Sequence, residues 1–249
     1  MSKLCTWIDK RLYPQYGDYW DQQLFRAEVV KRLHPSHVLL DFGAGRGANR
    51  NMNFRGQAAK VCGVDVDPIV HENPFLDEAK ELVDGSIPYP DQTFDVVVSS
   101  DVLEHLEDPV ATFREIRRVL KPGGWFLSKT PNAWHYVPLI SRCTPHWFHE
   151  WVNKKRGREA NDTFPTFYRA NTKRALRALA AEAGFSSVET DMFEGRPEYL
   201  RFSVPSYAIG AIYQRMVTSC AFLASLRVVV ISRFQAPQSV HREAAVHSS

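Results

Sequence analysis

The sequence predicts an α/β protein with a doubly wound, mostly parallel β-sheet and helices on both faces of the sheet. One observation is a series of short apolar runs, which are typical of strands buried on both faces. A second is that segments with helical spacing of apolar residues separate these runs, and strands that alternate with helices favour a parallel sheet. The runs lie at 38–40, 61–64, 94–98 and 125–127, with a last one at 228–231.

The helical segments between these runs begin and end at recognisable residues. The segment 22–34 has apolar residues near helical spacing and stops before Pro35, which indicates an amphipathic helix. A second helix is predicted within 101–124, with the terminal Lys-Pro-Gly-Gly stretch ending it. A third helix is expected to begin with Asn171 as its cap and to end at Gly184.

Length and hydrophobic content are sufficient for one domain. The chain has 249 residues, 44% of them hydrophobic, which is enough to bury an α/β core. We expect a single domain over 1–235, in which 1–34 forms capping helices and 131–170 is a lid or substrate-binding insertion. That insertion is rich in aromatic residues, His and Pro, and irregular segments of this length are often functional. The polar tail 236–249 is expected to be disordered.

The segment 198–226 is predicted to be an apolar helical stretch. Ile209, Ile212 and Met216 fall at helical spacing, and the opposite face is only weakly polar. Such a stripe most often packs in a core or in a dimer interface. The alternative is a face toward a membrane surface or a lipid-like substrate.

Composition argues against several classes of function. The net charge is +3 and no basic stripe with interleaved aromatics is evident, so no nucleic-acid partner is expected. The four cysteines are scattered without zinc-type spacing, so no metal site is predicted. Scattered thiols favour a reducing, cytoplasmic compartment. We expect neither a signal peptide nor a membrane-spanning helix.

A glycine-rich turn follows the first predicted strand. The candidate ligand-binding residues there are Asp41, Gly43, Ala44 and Gly45. Glycines permit backbone angles closed to other residues and let a ligand approach the main chain closely. The spacing is GxGxG instead of the GxGxxG of nicotinamide dinucleotide sites, and a carboxylate before the glycines suits a cation better than a pyrophosphate. A tight turn with no ligand is the alternative interpretation.

The second predicted strand ends in a carboxylate that could bind the same ligand as the glycine-rich turn. Asp65 ends that strand, 24 residues after Asp41, and an acidic residue about there is placed to bind ribose hydroxyls. Val66 next to it could pack on the base. Asp67 is either a helix cap or a ligand contact, with Pro68 at the first helical position.

Four blocks together resemble the class I S-adenosylmethionine-dependent methyltransferases, in particular the ubiquinone- and menaquinone-biosynthesis type. Within 38–132 they are, in the family's order, VLLDFGAGRGAN, VCGVDVDP, VDGSIPYPDQTFDVVVSSDVLEHLEDP and REIRRVLKPGGWFLSKTPN. The resemblance implies a seven-stranded sheet and S-adenosylmethionine as the cofactor. It implies that Asp84, Gly85 and Ser86 lie beside adenine, in a loop one residue shorter than the family's. It also implies Ser99, with Ser100 as a further candidate, near the methionine moiety.

The resemblance also bears on residues outside the cofactor loop. For His105 it implies a packing or loop-ordering role and not a catalytic one. It implies that an N-terminal segment folds over the cofactor, so Tyr16 and Trp20 are candidates for closing the site. Simple packing of these two aromatics on the sheet edge is the alternative.

Methyl transfer by in-line displacement asks mainly for positioning, which can supply up to roughly 7–11 kcal/mol in well-oriented cases. A hydroxyl acceptor also benefits from a general base, worth roughly 10²–10⁴-fold. The insertion supplies four candidates: His135, Tyr136, His146 and His149. We expect one of them to face the acceptor and the others to pack within the lid. A metal site at His146 and His149 is disfavoured because carboxylate partners are lacking beyond Glu150.

We therefore predict transfer of a methyl group from S-adenosylmethionine to a small-molecule acceptor, most simply a hydroxyl oxygen of an apolar or aromatic metabolite. Carbon or nitrogen of a lipid-like or natural-product substrate is the alternative. An RNA or protein methyltransferase is less favoured, because the Asn/Asp-Pro-Pro-aromatic turn of amine-directed nucleic-acid enzymes is absent after the strand at 94–98. The glycine spacing disfavours an oxidoreductase, and the intact loop with Asp65 disfavours a non-catalytic binding module.

Overall fold

A seven-stranded sheet forms the centre of the protein in the computed structural model, which describes residues 3–143, 164–201 and 203–239. All five predicted strands are confirmed. Two further strands, Glu78–Glu81 (β3) and Ser187–Phe193 (β6), form the two edges of the sheet. An edge strand can leave one face exposed, so its sequence does not need a continuous apolar run. The strands are β1 Val38–Phe42, β2 Lys60–Asp65, β3 Glu78–Glu81, β4 Phe94–Ser100, β5 Leu120–Pro131, β6 Ser187–Phe193 and β7 Val229–Gln235.

The strand order is β3-β2-β1-β4-β5-β7-β6. The first five strands in this order pair in parallel, while β7 runs antiparallel to both β5 and β6. The order reverses between β1 and β4, and ligands of open α/β sheets bind in the crevice outside the carboxyl ends of the strands at such a switch point. The predicted doubly wound, mostly parallel fold is therefore confirmed. Its topology places the expected ligand-binding crevice at the carboxyl end of β1.

Six α-helices are present in the part of the chain that the structure describes. Helix α3, Pro109–Val119, is amphipathic. It begins after Asp108, whose carboxylate accepts from the Ala111 amide at 3.0 Å. Two short 3-10 turns, at Glu198–Leu200 and Ala221–Leu226, flank α6, so the predicted helical stretch 198–226 is one regular helix with irregular ends. The helices are α1 Lys3–Leu12, α2 Trp20–Val30, α3 Pro109–Val119, α4 Tyr136–Cys143, α5 Lys173–Glu182 and α6 Val204–Ser219.

Two predicted helix boundaries are wrong. Thr172, and not Asn171, caps α5, because its hydroxyl accepts from the Ala175 amide at 3.1 Å. Asn171 is buried and its side-chain amide instead donates to the Pro131 carbonyl at 3.1 Å. The Lys-Pro-Gly-Gly stretch does not end α3 but forms the start of β5. Gly124 within it lies so close to the Asp95 carbonyl that a β-carbon would stand 2.9 Å from that oxygen.

The core lies on both faces of the sheet. Helices α3 and α5 cover one face, where four aromatic rings pack at centroid distances of 5.1 to 6.4 Å. Helix α2 covers the other face with the buried residues Trp20, Phe25 and Val29. Each fully buried large apolar side chain contributes roughly 1.5–3 kcal/mol. The four rings are Phe113, Phe126, Phe185 and Phe234.

The predicted lid is described only at its two ends. Helix α4 follows β5 directly, and the chain is described again from Phe164. His146 and His149 lie outside the described residues, as does the tail from 240 onward. Among the described helices, none is long and apolar enough to cross a membrane.

Candidate functional site

The glycine turn at the end of β1 is built by main-chain hydrogen bonds to β2. The amides of Gly43 and Ala44 donate to the Val64 carbonyl at 2.8 and 3.1 Å. Gly43 has φ of +79°, which disfavours side chains, and a β-carbon there would overlap the side chain of Val102. Gly45 also has positive φ, but no atom lies within 4 Å of the position of its absent β-carbon. The main chain at Gly45 is therefore open to a ligand.

Asp65 holds this turn in shape from the end of β2. One of its carboxylate oxygens accepts from the Gly45 amide at 2.8 Å, and the other accepts from the Asp67 amide at 3.0 Å. Each carboxylate oxygen can accept a second hydrogen bond, so Asp65 keeps capacity for ribose hydroxyls. Asp67 caps the turn that follows, since its carboxylate accepts from the Ile69 amide at 2.9 Å, and it also lines the second of the two pockets over the glycine turn, so both predicted roles stay open.

Asp41 is the most perturbed acid of this turn. It is buried beneath the glycines, and burial, with a contribution from the Asp65 charge, raises its pKa from 3.8 to about 7. Burial disfavours the ionised form because the carboxylate loses water without gaining a compensating charge. A cation placed beside Asp41 would supply that charge, and S-adenosylmethionine carries an ammonium and a sulfonium. The residues of the turn therefore fit this cofactor.

Two adjoining pockets open over the turn. The first encloses about 490 Å³ and is lined by Asp41, Gly43, Ala44 and Gly47 together with residues from four other segments. The second, of about 690 Å³, is lined by Ala44, Gly45 and Asp65, and by Phe164 from beyond the undescribed segment. The structure thus brings together five of the predicted cofactor residues. The remaining lining residues of the first pocket are Gln22, Asn49, Met52, Asn73, Phe75, Ser100 and Asp101.

The two predicted serines of β4 lie on opposite faces of the strand. Ser99 is fully buried and its hydroxyl has no hydrogen-bond partner, whereas Ser100, on the opposite face of β4, lines the first pocket. Side chains alternate between the two faces of a strand, so only one of two neighbouring residues can reach a ligand on a given side. Of the two predicted serines, the side chain of Ser100 is therefore the one that faces the pocket, and a contact of Ser99 with the cofactor stays a prediction.

The turn Asp84–Gly85–Ser86 stands apart from both pockets. Asp84 and Gly85 have φ of +50° and +76°, and all three residues are exposed. The turn follows β3, which pairs with β2, and the Leu82 amide donates to the Asp65 carbonyl at 2.8 Å. The turn therefore lies at the same edge of the sheet as Asp65. The Ser86 hydroxyl itself donates to Glu115 at 3.3 Å. Val66 is exposed beside Asp65 and does not line either pocket.

A buried lysine connects the first pocket to α2. The Lys129 ammonium donates to Asp101 at 2.7 Å and to Asp21 of α2 at 2.8 Å. Asp101 lines the pocket with φ of +59° and accepts from the Ser100 hydroxyl at 3.1 Å. The signal for this cluster in the sequence is a lysine that directly follows the apolar run of β5 at 125–127.

The N-terminal aromatics pack behind the pocket without lining it. Tyr16 and Trp20 meet edge to face at 5.3 Å, and the Tyr16 hydroxyl donates to the Glu194 carbonyl at 3.1 Å. Gln22, two residues after Trp20 on α2, lines the pocket instead. The part of α2 that reaches the candidate cofactor site is therefore polar.

Glu104 and His105 order the loop beside the pocket. Glu104 is buried, and burial together with the Asp101 charge raises its pKa to about 8. Its carboxylate accepts from the Thr130 hydroxyl at 2.9 Å, and its carbonyl accepts from the Phe167 amide at 2.7 Å. The His105 ring nitrogen Nδ1 lies 2.8 Å from the Pro165 carbonyl oxygen. These contacts are those of a residue pair that orders the loop.

A second polar cluster lies beyond the ends of β5 and β6, and it contains two of the predicted catalytic candidates. His135 is 1% exposed, and burial lowers its pKa to about 3. Its Nε2 has no hydrogen-bond partner and lies 3.8 Å from the Glu194 carboxylate. The rings of Tyr136 and Tyr213 lie 4.2 and 5.5 Å from the His135 ring.

Glu194 is the member of this cluster that sequence reasoning missed. Burial raises its pKa to about 8, and its carboxylate accepts from the Val228 amide at 3.0 Å. It is therefore mostly protonated near neutral pH. Within the described residues, no group of histidines, cysteines and carboxylates is arranged to hold a metal ion.

The seven-stranded sheet, with a glycine turn and two carboxylates at the carboxyl ends of its first two strands, has the architecture of a class I S-adenosylmethionine-dependent methyltransferase. The methyltransferase-domain family matches residues 18–190, more than half of the chain, and the chain belongs to that family. It is an enzyme family whose members use S-adenosylmethionine as the methyl donor.

Individual relatives agree with this assignment. The chain is 35% identical over 180 residues to an uncharacterised methyltransferase of Schizosaccharomyces pombe, covering 63% of this chain and 59% of that protein. It is 32% identical over 195 residues to a probable S-adenosylmethionine-dependent methyltransferase of Mycolicibacterium smegmatis, covering 70% and 71%. For the first of these relatives and for several others, the match spans less than two thirds of the relative's length.

The fold is shared with solved methyltransferases. A phosphoethanolamine N-methyltransferase of Haemonchus contortus in complex with S-adenosylmethionine superposes with a TM-score of 0.55 at 19% identity. The superposition covers 88% of this chain and 53% of that chain. At this level of identity the likeness concerns the fold alone.

Proposed function

We propose that this protein transfers the methyl group of S-adenosylmethionine to a hydroxyl oxygen of an apolar or aromatic small molecule. The observation that carries the proposal is the buried His135 with its unpartnered Nε2, at the sheet edge that also holds the cofactor turn. The cofactor supplies a methyl group already activated by its sulfonium. The protein then has to hold the acceptor oxygen in line with the donor, exclude water and accommodate the acceptor's proton.

Strand β5 connects the candidate cofactor pocket with the cluster around His135. Lys129 near the end of this strand is bonded to Asp101 of the cofactor pocket, and Ala133 and His135 follow six or fewer residues later. The carboxyl ends of β4 and β5 lie side by side in a parallel pair, with Ser100 opposite Lys129. Both groups therefore lie on the carboxyl-end side of the sheet, and the proposal places the acceptor between the His135 cluster and the candidate cofactor pocket.

The cluster around His135 suits a hydroxyl with an apolar body. Because its pKa is about 3, the His135 ring is neutral at physiological pH and can exchange hydrogen bonds with a neutral hydroxyl. Its Nδ1 accepts from the Val137 amide at 3.4 Å, so the neutral ring carries its proton on Nε2, which can donate a hydrogen bond to an acceptor oxygen and position it. The rings of Tyr136 and Tyr213 supply apolar surface on either side.

A nitrogen acceptor is the second candidate, and one observation favours it. Asp101 is a half-exposed carboxylate in the first pocket, and a carboxylate there would attract an amine. Relatives of this chain are named as methyltransferases of sarcosine and dimethylglycine and of sterol carbon. The accepting atom therefore differs among relatives and has to be established for this chain.

Isotope labelling tests the proposal. The protein is incubated with S-adenosylmethionine carrying a labelled methyl group and with a fractionated cell extract, and the labelled product is identified by mass spectrometry. We expect a labelled small molecule with the methyl group on oxygen. Label on nitrogen would establish the second candidate, and label found only in RNA or protein would refute both.

A pair of variants provides the control for that experiment. Asp65→Ala should weaken binding of S-adenosylhomocysteine by about 1.5–3 kcal/mol, as expected for loss of a charge-assisted hydrogen bond, and should abolish labelling at low cofactor concentration. Asp91→Ala removes a carboxylate that is 69% exposed and far along the chain from the turn, and it should leave both unchanged. Equal labelling by the two variants would show that Asp65 does not bind the cofactor.

A further inference from the structure

Helix α6 leaves a row of large apolar side chains uncovered. It buries Tyr207, Gly210, Gln214 and Val217 along one stripe. On its outer side, Ile209, Ile212 and Met216 are exposed by 64%, 62% and 51%. Single exposed apolar residues are ordinary, but three at helical spacing on one helix form a patch.

Helix α1 lies alongside α6 and extends this patch. The Tyr207 hydroxyl donates to Asp9 at 2.7 Å, and the hydroxyl of Tyr13, directly after α1, donates to Gln214, two turns further along α6, at 3.2 Å. Since these contacts follow the same order along both helices, α1 and α6 lie side by side. The outer side of α1 exposes Trp7 by 57%, and Leu12 is also exposed.

The exposed charge on the two helices themselves has one sign. On α1 and α6 the exposed charged side chains that the structure describes are all basic, namely Lys10, Arg11 and Arg215. The guanidinium of Arg11 stands 5.4 Å from the ring centre of Trp7. The acidic residue of these two helices, Asp9, is buried and paired with Arg201.

We propose that the outer face of α1 and α6 binds the surface of a membrane that contains anionic lipids. Large apolar side chains beside a tryptophan and basic residues are the composition of helices that lie in the membrane interface. Lipid phosphates supply the negative charge that this surface lacks. A symmetric contact between two copies would instead bring the basic side chains together without an acidic partner.

If this face binds a membrane, α6 alone separates the bilayer from the cluster of His135 and Tyr136. Tyr213, on the inner side of α6, contacts the rings of His135 and Tyr136 at 5.5 and 4.9 Å. This placement suits an acceptor that partitions into lipid, and it is the one part of the inference that rests on the proposed function. The membrane-binding surface itself is inferred from the exposed residues and their charge.

Vesicle co-sedimentation of the full chain tests this surface. Vesicles of phosphatidylcholine alone are compared with vesicles containing 30% phosphatidylglycerol, a fraction chosen as roughly that of an anionic cell membrane. We expect binding to the anionic vesicles, weakened when the salt concentration is raised. Arg11→Gln and Arg215→Gln should each lower the partition coefficient about fivefold on anionic vesicles. The double variant Ile209→Ser/Ile212→Ser should lower it about tenfold or more.

A matched control and a second measurement make the outcome decisive. Val30→Ser changes an apolar residue of α2 that is 44% exposed, at the end of that helix remote from Asp21, and should leave partitioning unchanged. Calorimetry with S-adenosylhomocysteine on the same samples shows whether each variant is folded, independently of vesicle binding. Failure of the wild-type protein to bind anionic vesicles would overturn the proposal. So would a dimer in analytical ultracentrifugation that Ile209→Ser/Ile212→Ser dissociates, since a second copy would then cover this face.

Discussion

Replacing Asp41 with Asn should make the free protein more stable and the cofactor complex weaker. The pKa of Asp41 is about 7 in the folded protein and 3.8 ordinarily, and each factor of ten in this equilibrium is worth about 1.4 kcal/mol. Ionisation of Asp41 at pH 8 therefore costs the free protein up to roughly 4 kcal/mol. An amide of the same shape avoids this cost, so chemical denaturation of Asp41→Asn at pH 8 should give a higher free energy of unfolding.

The sign of the pH dependence follows from the direction of the shift. Because the pKa of Asp41 is raised in the folded state, this destabilisation is complete above about pH 7 and vanishes as the pH falls toward the unfolded value of 3.8. The stability advantage of Asp41→Asn over the wild type should accordingly shrink between pH 8 and pH 5. Glu104 and Glu194 also titrate in this range, but they are common to both proteins and cancel in the comparison.

Cofactor binding should respond in the opposite direction. If the ionised Asp41 meets the ammonium of the cofactor, the wild type should bind S-adenosylhomocysteine roughly tenfold more weakly at pH 6 than at pH 8, because the ionised fraction falls about tenfold. Asp41→Asn should bind more weakly at pH 8 by about 1.5–3 kcal/mol and show no such pH dependence. A variant that binds as tightly as the wild type, with the same pH profile in calorimetry, would refute the placement of a cation beside Asp41.

Three further predictions concern stability and rate. Gly43→Ala should destabilise the protein by about 1–3 kcal/mol in thermal denaturation, because the positive φ of Gly43 and the side chain of Val102 both oppose a methyl group. Gly45→Ala has open space around the added methyl group, so it should cost only about 1 kcal/mol of stability. It should nevertheless weaken the binding of S-adenosylhomocysteine. A larger loss for Gly45→Ala would contradict this assignment. Lys129→Met should lower the free energy of unfolding by about 1–3 kcal/mol, since it removes charge-assisted hydrogen bonds from two carboxylates that water can still reach, and an unchanged denaturation midpoint would show that these hydrogen bonds are not intact in solution. His135→Phe should slow labelling of a hydroxyl acceptor by roughly tenfold, as expected for loss of one positioning hydrogen bond, with unchanged affinity for S-adenosylhomocysteine, whereas an unchanged rate would show that His135 does not position the acceptor.

The cofactor half of the site could be predicted from the sequence because it is local. Asp41 and the glycines lie within one strand and its turn, and Asp65 ends the next strand in a parallel pair. Each position is therefore determined by short-range backbone geometry. The alternation of side chains along β4, which separates Ser99 from Ser100, depends on which face is buried and could not be read from an apolar run alone.

The acceptor half could not be predicted to the same extent because its contacts are long-range. His135 meets Glu194, which lies 59 positions further along the chain, and Lys129 meets Asp21 across more than a hundred positions. No periodic pattern connects such residues. The same holds for β3 and β6, whose residues lack continuous apolar character because they lie at the edges of the sheet. His146 and His149 remain predictions.

The position of β7 has a consequence for the order in which the sheet can form during synthesis. This strand is made last among the seven, yet it lies between β5 and β6 and pairs with both. Until residue 235 has left the ribosome, β5 presents an unpaired edge and β6 has no neighbour in the sheet, so the cluster of His135 and Glu194 cannot assemble. The nascent chain therefore passes through a state with an open, apolar strand edge, which is the feature that invites aggregation and chaperone binding.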